Sequence, residues 1–187
     1  LGAALALWHI DLGKERNENF SDNMNCSYLG PEYSNEEIKD ILIEIGANFK
    51  SLPKEDLLNF TIENLIKGNA IGWFQGKMEF GPRALGNRSI IGDARSPDMQ
   101  KKLNLKVKFR ESFRPFAPSV LLEDANDWFD LNTESPYMLL VGKVKKDKLI
   151  EGANNSKSLK GLEKLNLVRS KIPAVTHVDN SARIQTV

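Results

Sequence analysis

The chain has 187 residues and a mass of 21.0 kDa, which fits one compact domain, or one domain and a fragment of another. Its 26 Lys and Arg residues balance 25 Asp and Glu residues to a net charge of +1, which excludes a polycation that coats nucleic acid or a membrane. Cys26 is the only cysteine, so an internal disulfide and a Cys-based zinc site are excluded. The apolar runs are shorter than the roughly 20 residues of a membrane helix, and this pattern favours a cytoplasmic protein.

The chain opens on an Ala- and Leu-rich run, residues 1–10, that is typical of the end of a helix. It starts without Met and ends on an uncapped strand pattern at residues 182–187, so we expect a fragment of a larger protein, with ordinary ragged termini as the alternative. Residues 11–33 are polar and lack periodicity, which predicts a linker.

Two amphipathic helices follow the predicted linker. Ser34 and Glu37 match a capping box at the start of the first helix, whose apolar residues recur at helical spacing: Ile38, Ile41, Leu42 and Ile45. The second helix is predicted between Pro53 and Gly68, with an apolar stripe of Leu58, Ile62, Leu65 and Ile66. We interpret both stripes as parts of the hydrophobic core.

Short apolar runs with strand character replace the helical period after residue 69. They are AIGWFQG at 70–76, FAPSVLL at 116–122, YMLLVGKVK at 137–145 and ARIQTV at the end of the chain. A short helix is predicted at 123–130, and residues 146–171 are polar enough to form an exposed excursion. Helices followed by strands with interleaved helices predict an α/β or α+β domain.

A glycine-rich loop, GPRALGNRS at 81–89, is the first candidate site. Its glycines allow the backbone to approach a ligand closely, and Arg83 and Arg88 are suited to clamp phosphate or carboxylate oxygens. The loop is not a phosphate-binding P-loop, because Asn87 and Arg88 stand where that motif requires Lys and Ser or Thr.

A strongly basic stretch, residues 95–114, is the second candidate site. It carries seven basic residues against two acids, a local charge of +5. Lys106, Lys108 and Arg110 alternate, so an extended backbone would place all three on one face, where an anion would relieve their repulsion. A surface loop with salt bridges stays open as the alternative, with the partners Glu79, Asp93 and Glu111.

Arg114 lies in the segment FRPFAPSV at 113–120. Pro115 and Pro118 stiffen the backbone around it, which favours a pre-organised contact with a planar anion. We expect Arg83, Lys108 and Arg114 to converge on one cavity, because a shared anion accounts for so many cations in a chain of net charge +1.

Three segments in this order resemble the carboxy-terminal region of the O-carbamoyltransferases of nodulation-factor and antibiotic tailoring. They are MEFGPRALGNRSIIGDAR, KVKFRESFRPFAPSV and HVDNSARIQTV. The resemblance covers residues 70–187, and LGAALALW at the start also resembles the last helix of that family's amino-terminal domain.

The resemblance implies a parent enzyme of two domains. Residues 1–10 would end a Kae1-like domain that holds an iron-type metal and transfers the carbamoyl group to a hydroxyl of a sugar-containing acceptor. After the linker, residues 34–187 would form a YrdC-like domain with a twisted mixed sheet around a basic cavity. This domain would form carbamoyl-adenylate from carbamoyl phosphate and ATP with Mg²⁺. The family continues into an NTSFN-like segment that supplies a serine, so we expect no complete reaction from this chain alone.

The resemblance also assigns residues. It implies catalytic anion contacts for Arg83, Lys108 and Arg114, and a nucleotide-phosphate contact for Arg183. Further nucleotide-binding positions without individual roles are Arg88, Ser89, Lys106 and Arg110. His177 and Asp179 match the family's HVD motif, either as ligand contacts or as a hydrogen-bonded turn before a strand.

Two other functions are compatible with the sequence. A YrdC-like module without transferase activity would bind RNA or nucleotides. Phe109, Phe113 and Phe116 alternate with the cations, which favours stacking on bases, with ordinary core residues as the alternative. The second of these functions is a purely structural role, as a fragment without activity of its own. The resemblance favours carbamoyl phosphate and ATP as partners over nucleic acid, and predicts no membrane association.

Overall fold

The computed structural model describes residues 2–16, 22, 24–151, 164–165 and 167–187. Residues 152–163, the centre of the predicted polar excursion, and part of the predicted linker lie outside the described residues. The chain begins with helix α1, Gly2–Ala6, which continues into a π-helical turn at Leu7–Asp11. A short 3₁₀ turn, Asn25–Ser27, lies in the predicted linker.

Helix α2, Asn35–Glu44, begins at the predicted capping box. The Glu37 amide donates to Ser34 Oγ at 3.1 Å, and the Ser34 amide donates to Glu37 Oε2 at 2.7 Å. Helix α3, Lys54–Ile66, follows Pro53, and Gly68 adopts a φ of +76° just after it. Both helix predictions are confirmed.

The apolar stripes of α2 and α3 are not core in the structure. Helix α2 has no buried residue, and in α3 only Thr61 is buried. Large apolar side chains remain exposed on both helices, including Ile43 of α2 at 59% and Ile66 of α3 at 65%. The interpretation of the stripes as core is therefore wrong for the described residues, because periodicity identifies the apolar face of a helix but not the surface that covers it.

The named strands of the described residues form two small sheets. Strands β1, Ile71–Phe74, and β2, Arg88–Ile91, form an antiparallel pair. The second sheet has the order β3–β5–β4, from strands Ser119–Val120, Ser181–Thr186 and Leu140–Lys143. Strand β5 runs parallel to β3 and antiparallel to β4, so the sheet is mixed and the predicted α/β class is confirmed.

Short helices and 3₁₀ turns lie between these strands. Helix α4 is Met99–Lys106, and α5 is Ala125–Trp128, directly after a 3₁₀ turn at Leu122–Asp124. The other 3₁₀ turns are Lys146–Lys148 and Pro173–Val175. The predictions missed strand β2, because its residues belong to the glycine-rich and basic motif rather than to an apolar run.

The hydrophobic core lies around β5. One cluster of buried residues contains Phe129, Leu131, Val144, Ile172, Val175, Ala182 and Ile184. A second cluster joins α4 to the turn at 173–175 through Met99, Leu103 and Ala174, and Phe116 packs against both clusters. Within the described ranges, no helix combines the length and the apolar character that a membrane span requires.

Gly142 of β4 tests how tightly this core is packed. A Cβ atom at this position would lie 2.8 Å from Ile184 Cδ1 and 3.0 Å from the Asp130 carbonyl oxygen. We expect Gly142→Ala to lower the free energy of unfolding by about 1–3 kcal/mol. The Asp130 carbonyl oxygen cannot move aside easily, because the Asp130 amide is hydrogen-bonded to Lys143 of β4. Urea unfolding measures the change.

Gly72 of β1 is the matched control, since a Cβ atom there would meet nothing within 4 Å. We expect Gly72→Ala to change the free energy of unfolding by no more than about 0.5 kcal/mol. Equal effects of the two substitutions would contradict the packing argument.

Candidate anion-binding site

The glycine-rich loop at 81–89 is folded around the carboxylate of Glu79, which is only 7% exposed. Glu79 Oε1 accepts hydrogen bonds from the backbone amides of Leu85 at 2.6 Å, Asn87 at 2.8 Å and Arg88 at 3.3 Å. Burial alone would raise the pKa of Glu79, but these amide donors outweigh it and hold the pKa below its ordinary value. Sequence reasoning placed Glu79 among salt-bridge partners of the basic stretch, and the structure shows it as the anchor of the loop instead.

The Leu85 carbonyl connects the loop to two distant segments. It accepts a hydrogen bond from the Tyr28 hydroxyl at 2.8 Å and one from Gln185 Nε2 at 2.7 Å. Gln185 lies on β5, and its Oε1 accepts from Ser119 Oγ of β3 at 3.1 Å. The loop is thereby fixed against the mixed sheet, with Tyr28 of the predicted linker on its other side.

Arg83 and Arg183 form the candidate anion site. Arg83 lies on the loop and Arg183 on β5, and in each side chain the Nε atom is buried with no hydrogen-bond partner. Burial lowers the pKa of Arg183, and the nearby positive charge of Arg83 lowers it further. Two neighbouring guanidinium groups with unsatisfied buried donors destabilise the domain unless an anion accepts from them.

Arg88 has a different environment from Arg83. Its guanidinium donates to four backbone carbonyls: Gln75 at 2.6 Å, Asn87 at 2.9 Å, Gly76 at 3.0 Å and Pro31 at 3.3 Å. The same group lies 3.5 Å from the centroid of the Phe74 ring. The neighbouring Ser89 Oγ accepts from the Gly86 amide at 3.0 Å. Both side chains brace the loop in this structure, and a nucleotide contact for either one stays a prediction.

His177 and Asp179 form a hydrogen-bonded turn before β5, one of the two interpretations of the HVD motif. The His177 amide donates to the Ser181 carbonyl at 2.8 Å, and Asp179 Oδ1 accepts from Ser181 Oγ at 2.6 Å. The Ser181 hydroxyl and an ion pair with Lys143 at 3.0 Å hold the pKa of Asp179 far below its ordinary value. Burial, together with the charge of Arg183, lowers the pKa of His177 despite the opposing Asp179 carboxylate.

The predicted extended face of Lys106, Lys108 and Arg110 is wrong. Lys106 is the last residue of α4, and Phe109 has a φ of +49°, so the side chains do not alternate as on a strand. Arg110 Nε instead donates to Asn104 Oδ1 at 2.6 Å, and its guanidinium lies 5.0 Å from the Phe116 ring centroid. Lys106 and Lys108 remain exposed.

Asn104 organises the loop that follows α4, and sequence reasoning missed it. Its side chain is 0% exposed, and its Nδ2 donates to the carbonyls of Ser112 at 3.0 Å and Arg114 at 2.8 Å. The Arg114 guanidinium pairs with Glu111 at 3.0 Å on the surface, as the salt-bridge interpretation proposed. An asparagine inside an amphipathic helix has no sequence signal that separates a buried anchor from a surface residue.

The expected convergence of Arg83, Lys108 and Arg114 stays a prediction. A cavity of about 750 Å³ opens beside α4, with Pro97, Phe113 and Arg169 in its wall, and none of the three predicted residues lines it. In the described part of the chain, no three His, Cys, Asp or Glu side chains are grouped as a metal site.

The candidate site thus combines a mixed α/β domain with two arginines whose buried Nε atoms have no partner, Arg83 on the glycine-rich loop and Arg183 on the central strand β5. A family model described as carbamoyltransferase C-terminus matches residues 62–187, more than half of the chain. The chain therefore belongs to the carbamoyltransferase C-terminus family, and the resemblance seen in the sequence is confirmed.

Individual relatives agree with this membership. Over its whole length the chain is 53% identical to an uncharacterized protein of Synechocystis sp., of which it covers 31%. It is 38% identical over its whole length to nodulation protein NolNO of Sinorhizobium fredii, of which it covers 25%. It is also 39% identical to a 3'-hydroxymethylcephem-O-carbamoyltransferase of Streptomyces clavuligerus, over 66% of the chain and 19% of that protein. The chain spans less than a third of the length of each of these relatives.

Glu79→Gln tests the anchoring of the loop. A neutral amide oxygen accepts more weakly than a carboxylate, so we expect the free energy of unfolding at pH 7 to fall by about 1–3 kcal/mol. Because the folded-state pKa is below the ordinary 4.5, the stabilisation is present above that value and is lost as the pH falls through the lowered pKa. The two proteins should therefore converge in stability in acid, as measured by urea unfolding at several pH values.

Glu63→Gln on the exposed face of α3 is the control, because Glu63 makes only a long surface pair of 3.8 Å with Lys67. We expect little change in stability at either pH. A difference between wild type and Glu79→Gln that is independent of pH would contradict the role of the Glu79 charge.

Proposed function

We propose that this domain binds carbamoyl phosphate and ATP and takes part in forming carbamoyl-adenylate, from which the carbamoyl group passes to a hydroxyl of a sugar-containing acceptor. One observation carries the proposal: Arg83 and Arg183 each keep a buried Nε without a partner, and the charge of Arg83 lowers the pKa of Arg183. Membership of a carbamoyltransferase family supports it. The name of the Streptomyces relative, an O-carbamoyltransferase of a hydroxymethylcephem, supports a hydroxyl acceptor.

Electrostatic stabilisation is the chemistry that such a site offers. Arginine presents several N–H donors in a planar fork that matches the oxygens of phosphate and carboxylate groups. Donors that are already fixed before the ligand arrives stabilise charge that develops during phosphoryl transfer without further reorganisation. The backbone of Arg83 is held because Glu79 and Gln185 bind Leu85 of the same loop. The backbone of Arg183 is held in β5, and its Nη2 donates to Met138 Sδ at 3.7 Å.

The proposed reaction balances in two steps. Water cleaves the mixed anhydride of carbamoyl phosphate and releases inorganic phosphate and carbamate. A carbamate oxygen then attacks the α-phosphorus of ATP, pyrophosphate leaves, and carbamoyl-adenylate remains. Both steps place additional negative charge on phosphate oxygens, where guanidinium and ammonium donors stabilise it.

The other predicted residues divide into two groups in this proposal. Lys108 and Arg114 lie on the loop after α4, and Lys108 has an exposed ammonium group that is free to contact phosphate. Arg88, Ser89 and Arg110 position the two loops through their hydrogen bonds.

The proposal assigns neither Mg²⁺ nor the iron-type metal to a site formed by the described residues alone. The described residues offer no cluster of three acidic, histidine or cysteine side chains, so they do not form a complete protein site for Mg²⁺. The iron-type metal and the transfer to the acceptor are expected in the amino-terminal domain that the family resemblance implies.

Arg83→Met tests the anion site. It removes one donor fork and one of two like charges, so we expect the affinity for carbamoyl phosphate to fall by about ten- to a hundredfold. The stability of the ligand-free chain should not fall, because a buried unsatisfied donor and a repulsion disappear together. Calorimetric titration with carbamoyl phosphate and urea unfolding measure the two effects.

Arg95→Met is the control for this substitution, because Arg95 is exposed and already paired with Asp93 at 2.8 Å. It should leave the affinity for carbamoyl phosphate unchanged. Loss of stability in Arg83→Met without loss of anion binding would show that Arg83 has a structural role only.

Lys108→Ala tests the catalytic assignment in a full-length carbamoyltransferase that carries this domain. Loss of a positioned charge at a reacting phosphate should lower the rate about a hundredfold, on the order of 3 kcal/mol, with the fold intact. The measurement is carbamoyl-phosphate-dependent exchange between ATP and pyrophosphate. Lys67→Ala, at the exposed end of α3, should leave exchange unchanged, and normal exchange in Lys108→Ala would remove Lys108 from the mechanism.

A further inference from the structure

The three phenylalanines of the basic stretch lie in three different environments. Phe116 packs against both core clusters and beneath the Arg110 guanidinium. Phe113 is half-exposed in the wall of the cavity beside α4. Phe109 is 85% exposed, and no large apolar side chain among the described residues is more exposed. The structure therefore separates one free aromatic ring from two that have packing roles.

Phe109 also has an unfavourable backbone conformation. Its φ of +49° is in the left-handed region, where the Cβ atom of a residue other than glycine approaches the neighbouring carbonyl. Glycine or asparagine would adopt this conformation more readily. Because the ring is exposed, its burial does not offset this backbone strain. Neither the backbone conformation nor packing in the core of the described domain explains why a phenylalanine stands here.

The loop nevertheless holds the backbone on both sides of Phe109 in place. The Lys108 amide donates to the Leu103 carbonyl at 2.9 Å, and the Arg110 amide donates to the Asn104 carbonyl at 3.0 Å. Phe109 is thus bracketed by two hydrogen bonds to the last turn of α4, whose Asn104 side chain is completely buried. A backbone that is already ordered reduces the conformational entropy lost when a ligand packs on the exposed ring.

Two exposed lysines, Lys106 and Lys108, lie near Phe109 in the sequence. In the described part of the chain, no ion pair involves Lys106 or Lys108, and the nearest acid in sequence, Glu111, is already paired with Arg114. An exposed aromatic ring with exposed lysines at neighbouring positions of the chain matches a ligand with a planar base and a chain of phosphates. An apolar protein partner would use the ring but not the charges.

We propose that Phe109 is a stacking platform for the purine base of the nucleotide, with Lys106 and Lys108 as contacts for its phosphates. This inference rests on the proposed function, in which ATP is a substrate, and it names the residue that recognises the base. Phe109 binds and orients the nucleotide and takes no part in bond making.

The test compares ATP with inorganic tripolyphosphate, which carries the phosphates without the base, in calorimetric titrations of the full chain. Phe109→Leu keeps an apolar side chain and removes the π-face, so we expect ATP affinity to fall about ten- to a hundredfold while tripolyphosphate affinity stays unchanged. Phe60→Leu is the matched control, because Phe60 of α3 is also an exposed phenylalanine, at 58%, but lies outside the basic stretch. It should change neither affinity.

Two further variants separate ligand binding from a structural role. Phe109→Gly relieves the left-handed strain, so its unfolding midpoint should be unchanged or higher while its ATP affinity falls; a structural residue would show the opposite pattern. Phe109→Trp should retain ATP binding, and its added fluorescence should be quenched by ATP but not by tripolyphosphate.

Four results would overturn the inference: equal ATP affinity in wild type and Phe109→Leu, equal affinity of wild type for ATP and tripolyphosphate, binding of neither by wild type, or quenching in Phe109→Trp by tripolyphosphate alone. Loss of affinity for a single-stranded RNA oligonucleotide in Phe109→Leu, with ATP binding intact, would assign the loop to RNA instead. Carbamoyl phosphate binding at Arg83 is measured separately, so failure of the stacking platform and failure of the proposed function are distinguishable.

Discussion

The hydrogen bonds that converge on the backbone of Leu85 hold the candidate site together. Its amide donates to the buried Glu79 carboxylate, and its carbonyl accepts from Tyr28 and from Gln185, which are 57 and 100 residues away in sequence. These bonds set the orientation of the glycine-rich loop relative to β5. The position of Arg83 beside Arg183 depends on that orientation, because each arginine belongs to one of the two segments that Leu85 joins.

The arginines of this domain show two opposite uses of the same side chain. Arg88 donates to four backbone carbonyls, and Arg110 bonds Asn104 and covers an aromatic ring. These guanidinium groups stabilise loops, because their donors are satisfied within the protein. Arg83 and Arg183 keep buried donors without partners. The count of hydrogen-bond partners, which is a tertiary property, therefore distinguishes bracing arginines from those available to a ligand.

The loop after α4 also presents a side chain that the protein leaves without a partner, the aromatic ring of Phe109. Asn104 fixes the carbonyls of the loop and leaves Phe109 outside the packed structure. Local order and exposure of an apolar ring are combined here, which is the arrangement expected of a recognition surface rather than of a core. The two loops thus carry complementary features: unsatisfied donors on one, and a free ring with free charges on the other.

Sequence patterns predicted the features that depend on short-range interactions. The capping box of α2, the strands β1, β4 and β5, and the glycine-rich motif that marks the family all involve residues close together in the chain. Periodicity and motif spacing report such interactions directly.

The tertiary structure alone decided the rest of the site. It brought Arg83 to Arg183 across 100 residues, turned the predicted extended face of Lys106, Lys108 and Arg110 into a helix end and a left-handed turn, and left the apolar stripes of α2 and α3 exposed. A linear pattern contains the chemical type of each side chain but not its distant neighbours. Whether a buried donor finds an acceptor, or an apolar face finds a cover, is determined by contacts between segments that only the folded chain brings together.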